Sequence, residues 1–386
     1  MSIEDLASGI ACPMGRDITG VVSALARSRL RSTKRRIITA LGENGASLST
    51  YGEGPENAWR PELGLSLLSL RSGRVCEAAL QLALGMAGAG GIGSVIFELN
   101  VPAWLFFEGY QIAASGATAV RSTGDEVIVE TAGVLIRFQR LLTSWIAHMG
   151  PVGPWHVHGS NAVAPRYITS SGIRHAIEGF PWIASLPNSD LCTKTQELDA
   201  SRIAFIREGW ELIINAVPEY AYWVASTAAG CLLLDRSGTH EAQSGSSHDH
   251  PGLIAIEPPP SAAYCGELLV HECSHQHMLA YMMAVPLVVP GSAETSWSPI
   301  KRMDRPIDRV LSGGHAVGNM VLYYEFLRRK MVLDNASRQR LELHRQWFED
   351  DYAPALEQSR ALTPTGRVFW VALSDAVRAC DTRVLA

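Results

Sequence analysis

Apolar residues recur at helical spacing over residues 17–41 and 56–84, and glycines follow both stretches. Gly42 and Gly45 end the first stretch, and a glycine cluster within 85–93 ends the second. The first 90 residues are therefore predicted to be mostly helical.

After residue 93, the spacing of apolar residues shortens to the two-residue period of β-strands. Short segments rich in β-branched and aromatic residues alternate with Gly, Pro and Asp turns, which is typical of an antiparallel sheet. These segments are SVIFELNVPAWLFFEGY, GATAVRS, DEVIVET and VLIRFQRL. The stretch from Met149 to Asn188 is rich in loop-forming residues.

The second half mixes the two periods. Residues 196–216 predict a helix, and YAYWVAS, GCLLLDRS and GLIAIEP predict strands. Ser261, after a run of three prolines, is a suitable N-cap for the helix that follows. A second helix is expected to start near Ser312, and another spans 336–358.

The pattern as a whole predicts an α+β fold. It has a helical N-terminal part, an antiparallel sheet region, and a mostly helical C-terminal part. We expect a division into residues 1–190, helical and β-rich, and residues 191–386, which hold the candidate chemistry. One compact unit is the alternative.

Charge and cysteine usage narrow the class of protein. The formal net charge is −5 and the isoelectric point is about 6.2, which argues against a nucleic-acid partner. The N-terminal segment lacks the basic and apolar regions of a secretory signal, and no apolar segment is long enough for a membrane span, so neither is expected. Seven scattered cysteines without a C-x-x-C pair favour reduced thiols, so a cytoplasmic location is expected.

The candidate chemistry lies in CGELLVHECSHQHMLAYMM, which contains His271, Glu272 and His275 in the pattern H-E-x-x-H. Residues four apart on a helix project from one face, so the two imidazoles can bind the same metal ion, with Glu272 beside them. The longer metalloprotease pattern is excluded because Met278 and Tyr281 replace its Gly and third His.

A catalytic metal site of this kind needs a third protein ligand. His315, after Gly313 and Gly314, is the first choice, because a second helix packed antiparallel to the first could turn it inward. Glu325, Asp304 and Asp308 are carboxylate alternatives for a site with two His and one carboxylate. The pairs His156/His158 and His248/His250 are interpreted as non-ligands, the latter in a solvent-exposed loop.

Four stretches together resemble a known family, the HExxH-type 2-oxoglutarate-dependent peptide β-hydroxylases of ribosomal peptide natural-product biosynthesis. They are SSHDHPGLIAIEP, LVHECSHQHM, SPIKRMDRP with VLSGGHAV, and LTPTGRVF. The resemblance covers the C-terminal half well and the first 190 residues only loosely.

The resemblance implies Fe(II) and 2-oxoglutarate as cofactors and a precursor peptide as substrate. A cation must hold the distal carboxylate of 2-oxoglutarate, and Arg305 fits that role best, with Lys301 and Arg302 as competitors. Hydroxylation would then take place at a side-chain Cβ, and Glu272 would orient a ligand or the substrate.

Two other classes of function use the same residues. In a zinc peptidase, Glu272 would be the general base that deprotonates metal-bound water. A non-catalytic peptide-binding metalloprotein is the third class. A peptidase does not need the basic residues at 301–305. The identity of the metal and the role of these residues therefore distinguish a hydroxylase from a peptidase.

Overall fold

A computed structural model of the 386-residue chain describes residues 3–13, 19–55, 59–108, 110–141, 144–149, 175–176, 200–234, 242–246, 250–257 and 259–382. Within these ranges, helices lie at both ends of the chain and an antiparallel sheet lies between them. The predicted α+β class, with a mostly helical C-terminal part, is confirmed.

The N-terminal part is helical, as predicted. Gly73, with a φ of +74°, separates the last two helices, because a left-handed backbone cannot continue a helix. The last helix is apolar on nearly all sides and is buried from Glu77 to Gly88. The helices are α1 (Ile3–Ala11), α2 (Thr19–Leu41), α3 (Ala46–Thr50), α4 (Pro61–Arg71) and α5 (Val75–Gly88), with a 3-10 turn at Gly42–Gly45.

A five-stranded antiparallel sheet follows, with its strands in chain order. Along the first strand, Val95 and Phe97 are buried whereas Ile96 is exposed, as expected when one face packs on a core. The side-chain amide of Gln81 in α5 pairs with the backbone of Phe106 and joins helix to sheet. The strands are β1 (Ile92–Phe107), β2 (Tyr110–Thr123), β3 (Glu126–Thr131), β4 (Val134–Leu141) and β5 (Ser144–Met149).

A second, mixed sheet precedes the H-E-x-x-H helix. It contains β6 (His175–Ala176), β7 (Gly230–Leu233), β8 (Ser244–Ser246) and β9 (Leu253–Ile256), in the order β6-β7-β9-β8. The strands predicted at GCLLLDRS and GLIAIEP are present as β7 and β9. Because β9 pairs with β7 on one side and β8 on the other, neither of its edges is open to a peptide.

The strand predicted at YAYWVAS is wrong. This segment belongs to helix α7 (Pro218–Thr227), which follows α6 (Ala200–Ala216). Its buried residues include Tyr220, Trp223, Val224 and Thr227, which have the three- and four-residue spacing of a helix face. Aromatic and β-branched residues suggested a strand, but burial of this face decides the structure.

The C-terminal part contains the H-E-x-x-H helix α8 (Ala262–Met282). The hydroxyl of Ser261 accepts from the backbone N–H of Tyr264 at 3.2 Å, so the predicted N-cap is confirmed. Helix α9 begins at Ile307, five residues before the predicted start at Ser312. The remaining elements are β10 (Thr295–Ser298), β11 (Met303–Pro306), α9 (Ile307–Lys330), α10 (Asn335–Gln346), a π-helical turn (Trp347–Tyr352), α11 (Ala353–Gln358) and α12 (Pro364–Thr382).

Helix α8 contacts elements from the whole chain. The side-chain oxygen of Gln276 accepts hydrogen bonds from Trp59 Nε1 at 3.1 Å and from the backbone N–H of Gly252 at 2.9 Å. The predicted division at residue 190 lies outside the described residues. Among the helices that are described, none is long and apolar enough to cross a membrane.

Candidate metal centre

Helix α8 brings His271 and His275 together. Their Nε2 atoms are 3.1 Å apart, and the ring planes are almost perpendicular, at 86°. Two nitrogens bound to one tetrahedral zinc ion at about 2.0–2.1 Å would lie roughly 3.3 Å apart. The observed separation therefore suits two imidazoles that share one metal ion.

The pair sits at the edge of the core, where an ion and a substrate could reach it. Both rings are half-buried, and the side chain of His271 is 20% exposed. Burial lowers the pKa of His271 to about 4; the charge of Glu267 opposes this shift, and His344, Lys301 and Arg340 add to it. His271 is thus neutral at neutral pH, which is the form that binds metal.

Glu272 is buried beside the pair. Its side chain is 2% exposed, and Oε1 lies 3.7 Å from His271 Nε2. Its other oxygen, Oε2, has no hydrogen-bond partner among the described residues. A buried carboxylate oxygen without a partner costs free energy, so Oε2 is expected to bind a group outside the described residues.

Ser312 of α9 contacts the other nitrogen of His275. Its hydroxyl oxygen is 2.8 Å from His275 Nδ1. Ser312 was predicted to mark a helix start, but α9 begins five residues earlier, at Ile307. Its hydroxyl is therefore not used to cap the helix.

Glu267, one turn before His271, anchors a buried polar cluster that the sequence analysis missed. Its carboxylate accepts from Tyr324 at 2.7 Å and from both Arg340 Nε and Nη2, and lies 3.0 Å from His344 Nε2. Burial alone would raise the pKa of Glu267, but His344 and Arg340 hold it well below its usual range. The signal was available, since Glu267, His271 and His275 follow one another at four-residue spacing.

His315, the predicted third ligand, lies among different groups. Its Nε2 donates to the carbonyl oxygen of Ala11 at 2.8 Å, and its ring packs 4.8 Å from that of Phe369. Asn319 donates to the same carbonyl at 2.9 Å. Burial lowers the pKa of His315 to about 4, against the raising effect of the bond to Ala11. The structure does not join His315 to the pair, and its role as a ligand stays a prediction.

The carboxylate alternatives are also placed apart from the pair. Glu325 is buried and forms ion pairs with Arg328 and Arg345. Asp308 lies 3.7 Å from Arg309, and Asp304 is exposed. Over the ranges that the structure describes, no three His, Cys, Asp or Glu side chains are grouped so that they could hold a metal ion.

Two other histidines near the motif in sequence, His277 and His250, are fully buried. His277 is buried, stacks on Trp223 and contacts the Trp223 carbonyl oxygen at 2.7 Å, so it faces away from the pair. His250 was expected in a solvent-exposed loop but is fully buried. His156, His158 and His248 lie outside the described residues.

The basic residues lie on the hairpin between α8 and α9. Strands β10 and β11 pair antiparallel, with Lys301 and Arg302 in the connecting turn and Arg305 on β11. Lys301 and Arg302 are exposed and Arg305 is half-buried. Lys301 is among the cations that lower the pKa of His271, whereas Arg305 acts on the buried Tyr352.

Comparison with known proteins gives no assignment: no protein-family model matches the chain, and no curated protein matches it significantly. The resemblance drawn from the sequence therefore stays an expectation.

Proposed function

We propose that this chain is an Fe(II)- and 2-oxoglutarate-dependent hydroxylase that acts on a side-chain Cβ of a ribosomally made precursor peptide. The observation that carries the proposal is that the Nε2 atoms of His271 and His275 lie 3.1 Å apart, on the helix that the basic hairpin of Lys301, Arg302 and Arg305 follows. Two histidines that can bind a metal, together with a basic hairpin, suit a dicarboxylate cosubstrate that needs a metal at one end and a cation at the other.

Each residue has a defined task in this proposal. His271 and His275 supply neutral imidazole ligands; the third ligand, for which His315 or a carboxylate was predicted, is not brought beside them in the described residues and stays a prediction. Lys301, Arg302 and Arg305 compete for the distal carboxylate of 2-oxoglutarate. Glu272 orients the substrate or a ligand through Oε2, which has no partner within the described part of the chain. Bound Fe(II), with 2-oxoglutarate and O₂ as cosubstrates, would supply the oxidising power that converts C–H to C–OH: one oxygen atom of O₂ would enter the new hydroxyl group, and the other would enter the succinate that forms as 2-oxoglutarate loses CO₂.

A zinc peptidase is the second candidate, and Glu272 favours it. A carboxylate that is 2% exposed, lies next to His271 and has one oxygen with no partner among the described residues is also what a general base for a metal-bound water requires. This class of enzyme has no use for the cations of the hairpin, which is why we place it second.

The deciding experiment is an anaerobic absorption spectrum of the Fe(II)-loaded protein with and without 2-oxoglutarate. We expect a new charge-transfer band, which a zinc-loaded sample cannot produce. The variants His271→Ala and His275→Ala should lose both the metal and the band. If wild type gives no band and cuts peptides in the absence of 2-oxoglutarate, the hydroxylase proposal is wrong and the peptidase is favoured.

The same band identifies the cation that holds 2-oxoglutarate. Lys301→Met, Arg302→Met and Arg305→Met are titrated with 2-oxoglutarate, and the residue in contact should show an affinity lower by about tenfold or more. Arg309→Met is the matched control, because Arg309 is exposed, follows the same hairpin and pairs with Asp308. Unchanged affinity in all three hairpin variants would reject this carboxylate site.

A further inference from the structure

His275 makes a contact that the proposed function does not use. Its Nδ1 lies 2.8 Å from Ser312 Oγ, while its Nε2 faces His271. A neutral imidazole carries one proton, and its other nitrogen has the lone pair that can bind a metal. Whichever proton arrangement joins His275 to Ser312 therefore decides whether Nε2 is available to an ion.

A serine hydroxyl can take either part in this bond. If Ser312 donates to Nδ1, the imidazole proton lies on Nε2 and blocks metal binding. If His275 Nδ1–H donates to Ser312 Oγ, Nε2 keeps its lone pair. In metal sites, a ligating histidine almost always donates its other N–H to a fixed acceptor, which sets both the tautomer and the ring orientation.

The surroundings of Ser312 suit a fixed acceptor. It is half-buried in the second turn of α9, beyond the residues that need capping. The next residue, Gly313, packs against the ring of Tyr352, so closely that a Cβ at this position would lie 2.6 Å from the tyrosine oxygen. Tyr352 itself is fully buried, and this packing holds the turn that carries Ser312 in place.

We infer that Ser312 is a positioning residue: its hydroxyl oxygen accepts from His275 Nδ1–H and thereby presents His275 Nε2 to the metal. This inference rests on the proposed metal-dependent function. It adds a residue that would not bind the ion but would set the affinity for it.

The first test uses the metal-free protein and is independent of any metal. Nitrogen-15 labelling of the histidines, with the His275 signals assigned from His275→Gln, reports which ring nitrogen carries the proton at neutral pH. We expect the proton on Nδ1 in wild type and in Ser312→Thr, and a shift toward the Nε2–H form in Ser312→Ala. A proton on Nε2 in wild type would overturn the inference.

The second test is titration with Co(II), whose visible spectrum reports the ligands around it. Ser312→Ala should bind Co(II) about ten- to a hundredfold more weakly, and Ser312→Thr, which keeps the hydroxyl, should restore the affinity. Ser274→Ala is the matched control, because that hydroxyl is on the same turn as His275 but bonds to the carbonyl of Val270. Equal affinities for wild type and Ser312→Ala, or an equal loss in Ser274→Ala, would refute a positioning role.

The two tests separate the possible failures. If wild type does not bind Co(II), the proposed function itself fails, whatever the histidine proton shows. If wild type binds Co(II) but Ser312→Ala binds it equally well, the proposed function stands and the role of Ser312 is wrong. Unfolding midpoints of the metal-free variants, expected to equal that of wild type, exclude a general loss of structure as the cause.

Discussion

The buried cluster around Glu267 offers the most direct test of how the core supports helix α8. The perturbation is Glu267→Gln, which keeps the shape of the side chain but removes its charge. In the native protein this carboxylate accepts hydrogen bonds from Tyr324 and Arg340 and lies beside His344, and Glu267 is 1% exposed. Arg340 also lies over the ring of Tyr264, with 3.6 Å between its guanidinium carbon and the ring centre.

The size of the effect follows from these contacts. Removing one partner of a buried ion pair costs about 3–5 kcal/mol, because the other charge stays buried and unpaired. Here the loss should lie near the lower end, since the Arg340 side chain is 22% exposed and the glutamine oxygen can still accept one hydrogen bond. About 3 kcal/mol corresponds to an unfolding constant raised by more than a hundredfold.

The assay is urea unfolding followed by tryptophan fluorescence, with Glu357→Gln as the control. Glu357 pairs with Arg378 on the surface, where both side chains are well exposed, so its loss should cost less than about 1 kcal/mol. The expected result is a much lower midpoint for Glu267→Gln at an unchanged slope. If both variants lose the same stability, the cluster is not what holds α10 against α8.

Two further predictions concern stability. Burial lowers the pKa of His277 from 6.5 to about 3 and that of His315 from 6.5 to about 4. The unfolded chain therefore binds more protons than the folded one, and the free energy of unfolding should fall as the pH drops from about 6.5 toward 4. Urea midpoints should decrease across this range, and a flat profile would contradict the burial of these rings. Gly366→Ala should lower the unfolding midpoint strongly, because the new Cβ would lie 1.9 Å from the Leu287 carbonyl oxygen. The control is Gly20→Ala, whose Cβ would meet no described atom within 4 Å, so its midpoint should be equal to that of wild type or slightly higher.

Local geometry explains which parts of the site could be predicted. The pairing of His271 with His275 depends only on the pitch of one helix, and Ser261 caps that helix through a contact three residues away. Both follow from short-range spacing, so the sequence pattern was sufficient. The antiparallel sheet was predictable for the same reason, since its strands follow one another in chain order.

Long-range packing decides the rest. His315 donates to Ala11, which is 304 residues earlier in the chain, and no local pattern indicates that α1 ends beside α9. The helix at Pro218–Thr227 was taken for a strand because its aromatic residues favour one, and only the burial of one face shows otherwise. Ser312 was misassigned because Gly313 and Gly314 suggested a helix start, although both glycines allow close packing inside α9 against Tyr352 and Leu356.

A polar stripe on α8, formed by Glu267, His271 and His275, depends on both the local spacing and the long-range packing. Glu267, His271 and His275 lie one above another on a helix whose other residues are mostly buried, an arrangement that requires partners for each polar group. The neighbouring helices supply them at both ends of the stripe: Tyr324 and Arg340 bind Glu267, and Ser312 contacts His275. His271, between them, is partly exposed and faces the nitrogen of His275. A metal or a substrate would therefore approach the stripe at its middle, where the side chain of His271 is partly exposed, and the contacts at the two ends hold the helix in register.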